Sequence, residues 1–259
     1  MYFDGENRPY ISSQAGVFRL EDGVWKQTTG VGQPPDEQAP FRLRSSKVAF
    51  DSDDNVYLVG NVNGTSALLS STDRGATFQS TPIPGRGAFD IEQFSGHNQP
   101  AGPPPFVRYT QTARDPDRIW RRINNLDLFL PERTPAGAIV LSDPVRISGQ
   151  CIGFSAHSGI PSSVVSRDGK VHIAWGEATD PAADVPGVPT YAATYDRADE
   201  VLSQPALIGY GPPANDVHNT PCITMDSGGY LHVLIGTHGR TFKYARSLEP
   251  NTAAAGWTD

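Results

Sequence analysis

The chain has 259 residues, 37% hydrophobic and 9% aromatic, enough for a sizeable core and too many for a disordered segment. Its 26 glycines and 23 prolines follow no collagen period, so they point to a turn-dense fold without long helices. A net charge of −7 argues against a nucleic-acid partner, because neutralising phosphates needs a basic surplus. No stretch of about 18 apolar residues offers a membrane span, and the opening MYFDGENRPY lacks the basic and apolar regions of a signal peptide. Cys151 and Cys222 cannot form a disulfide framework and read as small buried apolar residues.

Taken in chain order, the first predicted element is a hairpin in which residues 16–20 (GVFRL) and 24–27 (VWKQ) flank a turn at Glu21, Asp22 and Gly23. Residues 48–60 (VAFDSDDNVYLVG) form a second β-turn-β unit, and 67–70 and 76–79 flank a third turn. A fainter copy has strands at 106–111 and 118–123 around Asp115, Pro116 and Asp117. Residues 161–176 (PSSVVSRDGKVHIAWG) and 221–236 (PCITMDSGGYLHVLIG) then align without a gap over sixteen positions, each as a hairpin with a Gly-containing turn. A further strand at 188–195 ends in a turn at 196–199.

The repeat length is about sixty residues, and His97, His157 and His218 keep the same beat at intervals of 60 and 61. Four short strands per repeat with a turn at each end is the plan of a β-propeller blade, so the predicted fold is all-β, a propeller of four-stranded antiparallel blades. A β-sandwich is the runner-up, but sandwiches do not repeat their sequence at this period. Predicted blades run over 35–84, 95–147, 152–210 and 216–259, after a half-blade at 1–34. That is about four and a half blades in one propeller domain, and the arithmetic leads us to expect an incomplete ring.

Residues Ser71, Asp73, Gly75, Thr77 and Phe78 fit the pattern S-x-D-x-G-x-T-[FW] of the Asp-box or BNR turn. Its physics is local: Ser71 and Asp73 can accept turn N–H groups, Gly75 can take positive φ, and Phe78 can pack under the turn. The segment 247–257 reads as a stretched, degenerate version.

His218 and His238 are the candidate catalytic residues. Their numbers average to 228, and Gly228 lies in the turn, so hairpin symmetry sets the two histidines side by side at the open end. In a propeller that end opens onto the central channel, where two imidazoles can supply a general base and a general acid. The plainer alternative is that each caps a strand end through a backbone hydrogen bond. His172 and His232 occupy equivalent mid-strand positions and read as packing between blades. Candidate substrate contacts are His97, Asn98, His157, Asn219 and Glu177 at the same rim, with Asp180 nearby. Arg108, Tyr109, Arg118, Arg121 and Arg122 form a dense basic group in an acidic chain, of which Arg108, Tyr109 and Arg122 are candidate contacts for a carboxylated or sulfated glycan.

The run 215–239 (NDVHNTPCITMDSGGYLHVLIGTHG), with 242–247 (FKYARS), resembles the BNR-repeat-containing family that includes propeller polysaccharide lyases of the ulvan-lyase type. The resemblance implies a secreted or periplasmic protein acting on an acidic polysaccharide by β-elimination at a uronic acid. It also implies that two histidines about twenty residues apart line the cleft, matched here by His218 and His238, with a tyrosine and an arginine from later blades. No cofactor is required for that chemistry; a structural metal ion is allowed, with ligands the spacing does not identify. On this reading the chain alone is expected to be inactive. Two other functions compete: a sialidase-like glycoside hydrolase, whose early R-I-P motif is absent here, and a non-catalytic propeller that binds glycan or protein.

Overall fold

The computed structural model describes residues 1–13, 16–27, 47–62, 64–93, 100–155 and 161–258. Every regular element among these residues is a β-strand. The chain divides into two compact units, one of residues 1–106 with 129–143, the other of 107–128 with 144–259.

In the first unit, β1 (Tyr2–Phe3), β2 (Pro9–Ser13), β3 (Gly16–Glu21) and β4 (Val24–Gln27) form a meander in the order β1-β2-β3-β4. Four strands therefore stand where a half-blade is expected. The extra turn closes because Asp4 Oδ1 accepts the backbone N–H groups of Glu6 and Arg8 at 3.1 and 2.8 Å. The next meander is β5 (Ala49–Phe50), β6 (Val56–Val62), β7 (Thr65–Ser71) and β8 (Gln79–Pro82), again in sequential order. Both of its faces are buried, which explains its continuous apolar runs. Val56, Leu58 and Leu69 join Tyr10 and Val17 on one side, whereas Tyr57, Val59 and Leu68 join Phe89, Ile91 and Phe106 on the other.

Between β7 and β8, Gly75 N–H donates to Ser71 Oγ (2.7 Å), and Thr77 donates to Asp73 through its backbone N–H (2.8 Å) and its hydroxyl (2.6 Å). Gly75 takes φ 81°, and Phe78 is buried beneath the turn. The following strands are β9 (Ala88–Ile91), β10 (Phe106–Arg114), β11 (Arg122–Phe129), the hairpin β12 (Pro131–Arg133) and β13 (Ile139–Leu141), and β14 (Val145–Cys151). Phe106 and Phe129 stack in the first unit with centroids 4.8 Å apart.

In the second unit the order is β14-β11-β10. Here the structure departs from the sequence reading, since β11 begins at Arg122 and not at Arg118. Asp115 Oδ1 accepts the N–H groups of Asp117 and Arg118, and Asp115 N–H closes on Arg121 O, so the turn runs from 115 to 121. That wider turn carries Trp120 and Arg121 on a loop.

A five-stranded sheet follows: β15 (Val164–Arg167), β16 (Lys170–Gly176) and β17 (Val188–Asp196), with β18 (Val201–Leu202) and β19 (Ala206–Gly211) both paired to β17. The last sheet is β20 (Cys222–Met225), β21 (Leu231–Ile235) and β22 (Lys243–Arg246). The β15–β16 turn is the two-residue Asp168-Gly169, both at positive φ. The β20–β21 loop is longer and is closed by Asp226, whose carboxylate accepts Tyr230 N–H at 2.9 Å. Val165, Ala174 and Ala192 of one sheet pack with Ile223, Met225, Leu231, Val233 and Ile235 of the next.

His172 is fully buried and bonded to Thr194 Oγ1 and Asn251 Oδ1, both at 2.9 Å, and burial pulls its pKa down to about 4. His232 is partly exposed and bridges Asp226 and Tyr244. Cys151 is buried, with its thiol pushed up to about 12 by desolvation, but Cys222 is exposed, contrary to expectation. It sits at an outward position of β20, where burial alternates with period two. The fold is all-β, built from antiparallel meanders that pack face to face within each unit as propeller blades do.

Candidate active site

The β20–β21 ladder pairs Cys222 with Leu234 and Met225 with Leu231, both centred on Gly228. Continuing that register past the open end of the hairpin sets His218 opposite His238, and the two imidazole centroids lie 4.6 Å apart, tilted by 46°. The residue that joins them is Asp216. Its Oδ1 accepts the His218 backbone N–H at 2.9 Å and meets His218 Nδ1 at 2.5 Å, while its Oδ2 meets His238 Nδ1 at 2.7 Å. With both Nδ1 atoms turned to the carboxylate as donors, the Nε2 atom of each ring is left to take or give a proton.

Burial differs across the cluster. The side chains of Asp216 and His218 are each 8% exposed and that of His238 is 55% exposed, so one imidazole is sheltered and its partner faces solvent. Burial pushes the Asp216 carboxyl up, but the His218 N–H and the two imidazoles outweigh it and hold the pKa below the usual carboxylate value. Trp120 from the 115–121 turn sets its edge against the His218 ring at 4.6 Å, and its carbonyl accepts Val217 N–H at 3.1 Å.

The loops carrying the histidines are fixed by a backbone clamp. Asn219 is fully buried, and its Nδ2 donates to Gly211 O and Pro213 O at 2.9 and 2.7 Å. His238 N–H donates to Pro212 O at 3.1 Å. A Cβ on Gly236 would lie 2.4 Å from Thr220 O, and one on Gly211 would lie 1.9 Å from Gly236 O, so only glycine admits this approach.

The other candidates have different surroundings. Asn219 is a clamp inside the fold, where a rim contact with substrate is expected. Tyr109 is buried with its hydroxyl 2.6 Å from Ser163 Oγ, and Arg108 pairs with Asp127, which also holds Arg146. Glu177 accepts from Trp175 Nε1 (3.0 Å) and Ser148 Oγ (2.7 Å). Arg122 is half-buried on β11, Arg121 Nε donates to Thr179 O at 3.0 Å, and Asp180 caps the N–H of Ala182. His97, Asn98 and His157 lie outside the described residues.

Asp216, His218 and His238 also form a group whose ligand atoms lie within 4.8 Å of one another. Ligands about 2.0–2.2 Å from a zinc-like ion in a tetrahedron stand roughly 3 Å or more apart. The 2.5 and 2.7 Å contacts are therefore proton-bridged, and an ion between the same atoms would have to spread them. Sequence reading named both histidines and missed the carboxylate and Trp120. The available signal was the Asp-x-His spacing, which lets a carboxylate accept the N–H two residues on.

Neither a protein-family model nor a curated protein matches the sequence. The chain is similar to solved structures of an alpha-L-arabinofuranosidase from Lactobacillus brevis (TM-score 0.46, 11% identity, covering 83% of this chain and 71% of that one). It is also similar to the Trypanosoma rangeli sialidase (TM-score 0.46, 9% identity, covering 97% of this chain) and spans 42% of that protein.

Proposed function

We propose that this chain belongs to a carbohydrate-active propeller in which Asp216, His218 and His238 form the acid–base centre, and that the reaction is β-elimination at a uronic acid of an acidic polysaccharide. The observation that carries the reading is one buried carboxylate holding two imidazoles 4.6 Å apart. One carboxylate balances one imidazolium, so a cluster that has taken up one proton holds one ring protonated at Nε2 beside one with Nε2 free, an acid beside a base. In the elimination, a free Nε2 takes the C5 proton. The C5–H electrons form the C4=C5 double bond as the C4–O4 bond breaks, and the departing O4 takes its proton from the second imidazole. The charge that develops next to the uronate carboxylate must be met by a cation beyond this pair. His238 is the more exposed of the two rings, and Asp216 positions both.

The test is incubation of the intact polypeptide carrying these residues with a panel of uronate-containing polysaccharides, followed by ultraviolet absorbance of the unsaturated product. Product should appear and should fall by about 10²-fold or more with His218→Ala or His238→Ala. New reducing ends without that absorbance would replace elimination by hydrolysis, and binding without cleavage would remove catalysis altogether.

A further inference from the structure

The first unit contains a cavity of about 520 Å³ that nothing in the proposed chemistry uses. One wall is the turn end of the β5–β8 sheet, and the other is the β12–β13 hairpin. Tyr57, Ser70 and Gln79 stand on one cross-strand row of that sheet, since Tyr57 pairs with Ser70 and Ser70 with Gln79, so their side chains share a face. Arg133, at the end of β12, is drawn to the same place: its Nη2 donates to Tyr57 Oη at 2.6 Å, and its guanidinium lies 5.8 Å from the Tyr57 ring centroid. Its Nη1 donates to Gly137 O at 3.0 Å.

Among the described residues Arg133 has no ion-pair partner. No carboxylate lies within 4.0 Å of its guanidinium among the described residues, and both of its hydrogen-bond acceptors are neutral. Tyr57 keeps its proton, because burial and the Asp51 carboxylate it donates to both push its hydroxyl upward. A half-buried cation held only by neutral oxygens retains donors for an anion that enters the cavity. The rest of the lining is not that of a bare anion site. Asn55, Gln79 and Ser70 bring amide and hydroxyl groups, Thr72 adds another hydroxyl, and Asp53 brings a carboxylate. Asp53 would repel a bare polyanion but accepts hydroxyl donors, so the lining matches a ligand with one anionic group and several hydroxyls. A volume of this size takes one or two sugar rings.

We infer that the cavity between the β5–β8 sheet and the β12–β13 hairpin is a binding site for an acidic saccharide, with Arg133 on its carboxylate or sulfate and Asp53, Asn55 and Gln79 on its hydroxyls. The site is separate in sequence from the histidine cluster and holds whether or not that cluster is catalytic.

Calorimetric titration of the whole chain at low salt tests it, with glucuronate, glucose and inorganic sulfate as probes. Glucuronate should bind at least about tenfold more tightly than either of the others, because glucose lacks the charge and sulfate lacks the ring hydroxyls. Arg133→Gln should abolish the preference for glucuronate over glucose, and Gln79→Ala, at an exposed position, should weaken glucuronate severalfold without disturbing the fold. Equal affinity for glucuronate and glucose, equal affinity for sulfate, or glucuronate affinity unchanged by Arg133→Gln would each overturn the inference. Should Arg133→Gln fail to fold, Gln79→Ala and Asp53→Ala decide it, since unchanged glucuronate affinity in both would also overturn it.

Discussion

Asp216 is the residue on which the histidine cluster turns. It accepts three N–H groups from two loops, and each imidazole owes its orientation to one of its oxygens. Asp216→Asn keeps the volume but replaces one acceptor oxygen by an amide that donates, so one of the two rings must turn away or change tautomer. We expect elimination by the intact polypeptide to fall by about 10²-fold with little change in KM, as for loss of either imidazole. Retained turnover would show that the rings do not need the carboxylate. Hairpin symmetry made the histidines legible in the sequence, because it depends only on where the turn is centred. The carboxylate was hidden because Asp216 lies off the ladder, in a loop whose path is set by the buried Asn219 clamp.

At the scale of elements, the readable parts were those whose geometry is local. The Asp168-Gly169 turn adopts the two positive φ angles that a two-residue hairpin needs, and the Ser71–Phe78 turn satisfies its own backbone through side chains inside it. Asp73→Ala removes acceptors for Thr77 N–H, the Thr77 hydroxyl and the Ser71 hydroxyl, and should destabilise the protein by about 1–2 kcal/mol in denaturant titration while leaving the histidine chemistry untouched. Elements set by longer contacts were less legible. The start of β11 moved to Arg122 because Asp115 captures two backbone N–H groups and prolongs the turn, an effect that β-propensity over 118–123 does not contain. The glycine clamp is equally non-local. A Cβ on Gly236 meets backbone atoms of Asn219 and Thr220 at 2.4–2.9 Å, where no side chain can step aside. Gly236→Ala should therefore cost about 2–3 kcal/mol and separate the two histidine-bearing loops, seen as loss of turnover greater than the loss of folded protein.

For the whole molecule, the repeat was legible where hairpins set alternating apolar residues around a short turn and bury them against the next sheet, as β15–β16 and β20–β21 do. What the repeat does not encode is how polar groups are accommodated inside those sheets, and these set the acid response. His172 is held neutral between Thr194 and Asn251, with a pKa of about 4 against 6.5 for the free side chain. In the unfolded chain it takes up its proton near pH 6.5, whereas the folded chain resists protonation until about pH 4. The unfolded state thus binds more protons between those values, and stability is fully present above pH 6.5 and lost as pH falls toward 4. The loss should reach about 3 kcal/mol, since each pKa unit is worth about 1.4 kcal/mol. A second, lower window follows from Asp73 and Asp216, both held below the ordinary carboxylate value of 3.8, whose contributions persist above it and disappear as pH falls further. Denaturant titrations from pH 7.5 to 3 should show both declines. His172→Gln keeps a side chain able to bond Thr194 or Asn251 and cannot titrate, so it should be less stable than the parent at pH 7 and flatten the curve between pH 6.5 and 4, with the lower decline intact. A parent curve that is flat across that interval would show that His172 is reached by solvent, and with it that the packing of β16 against the 251–253 segment is looser than its hydrogen bonds indicate.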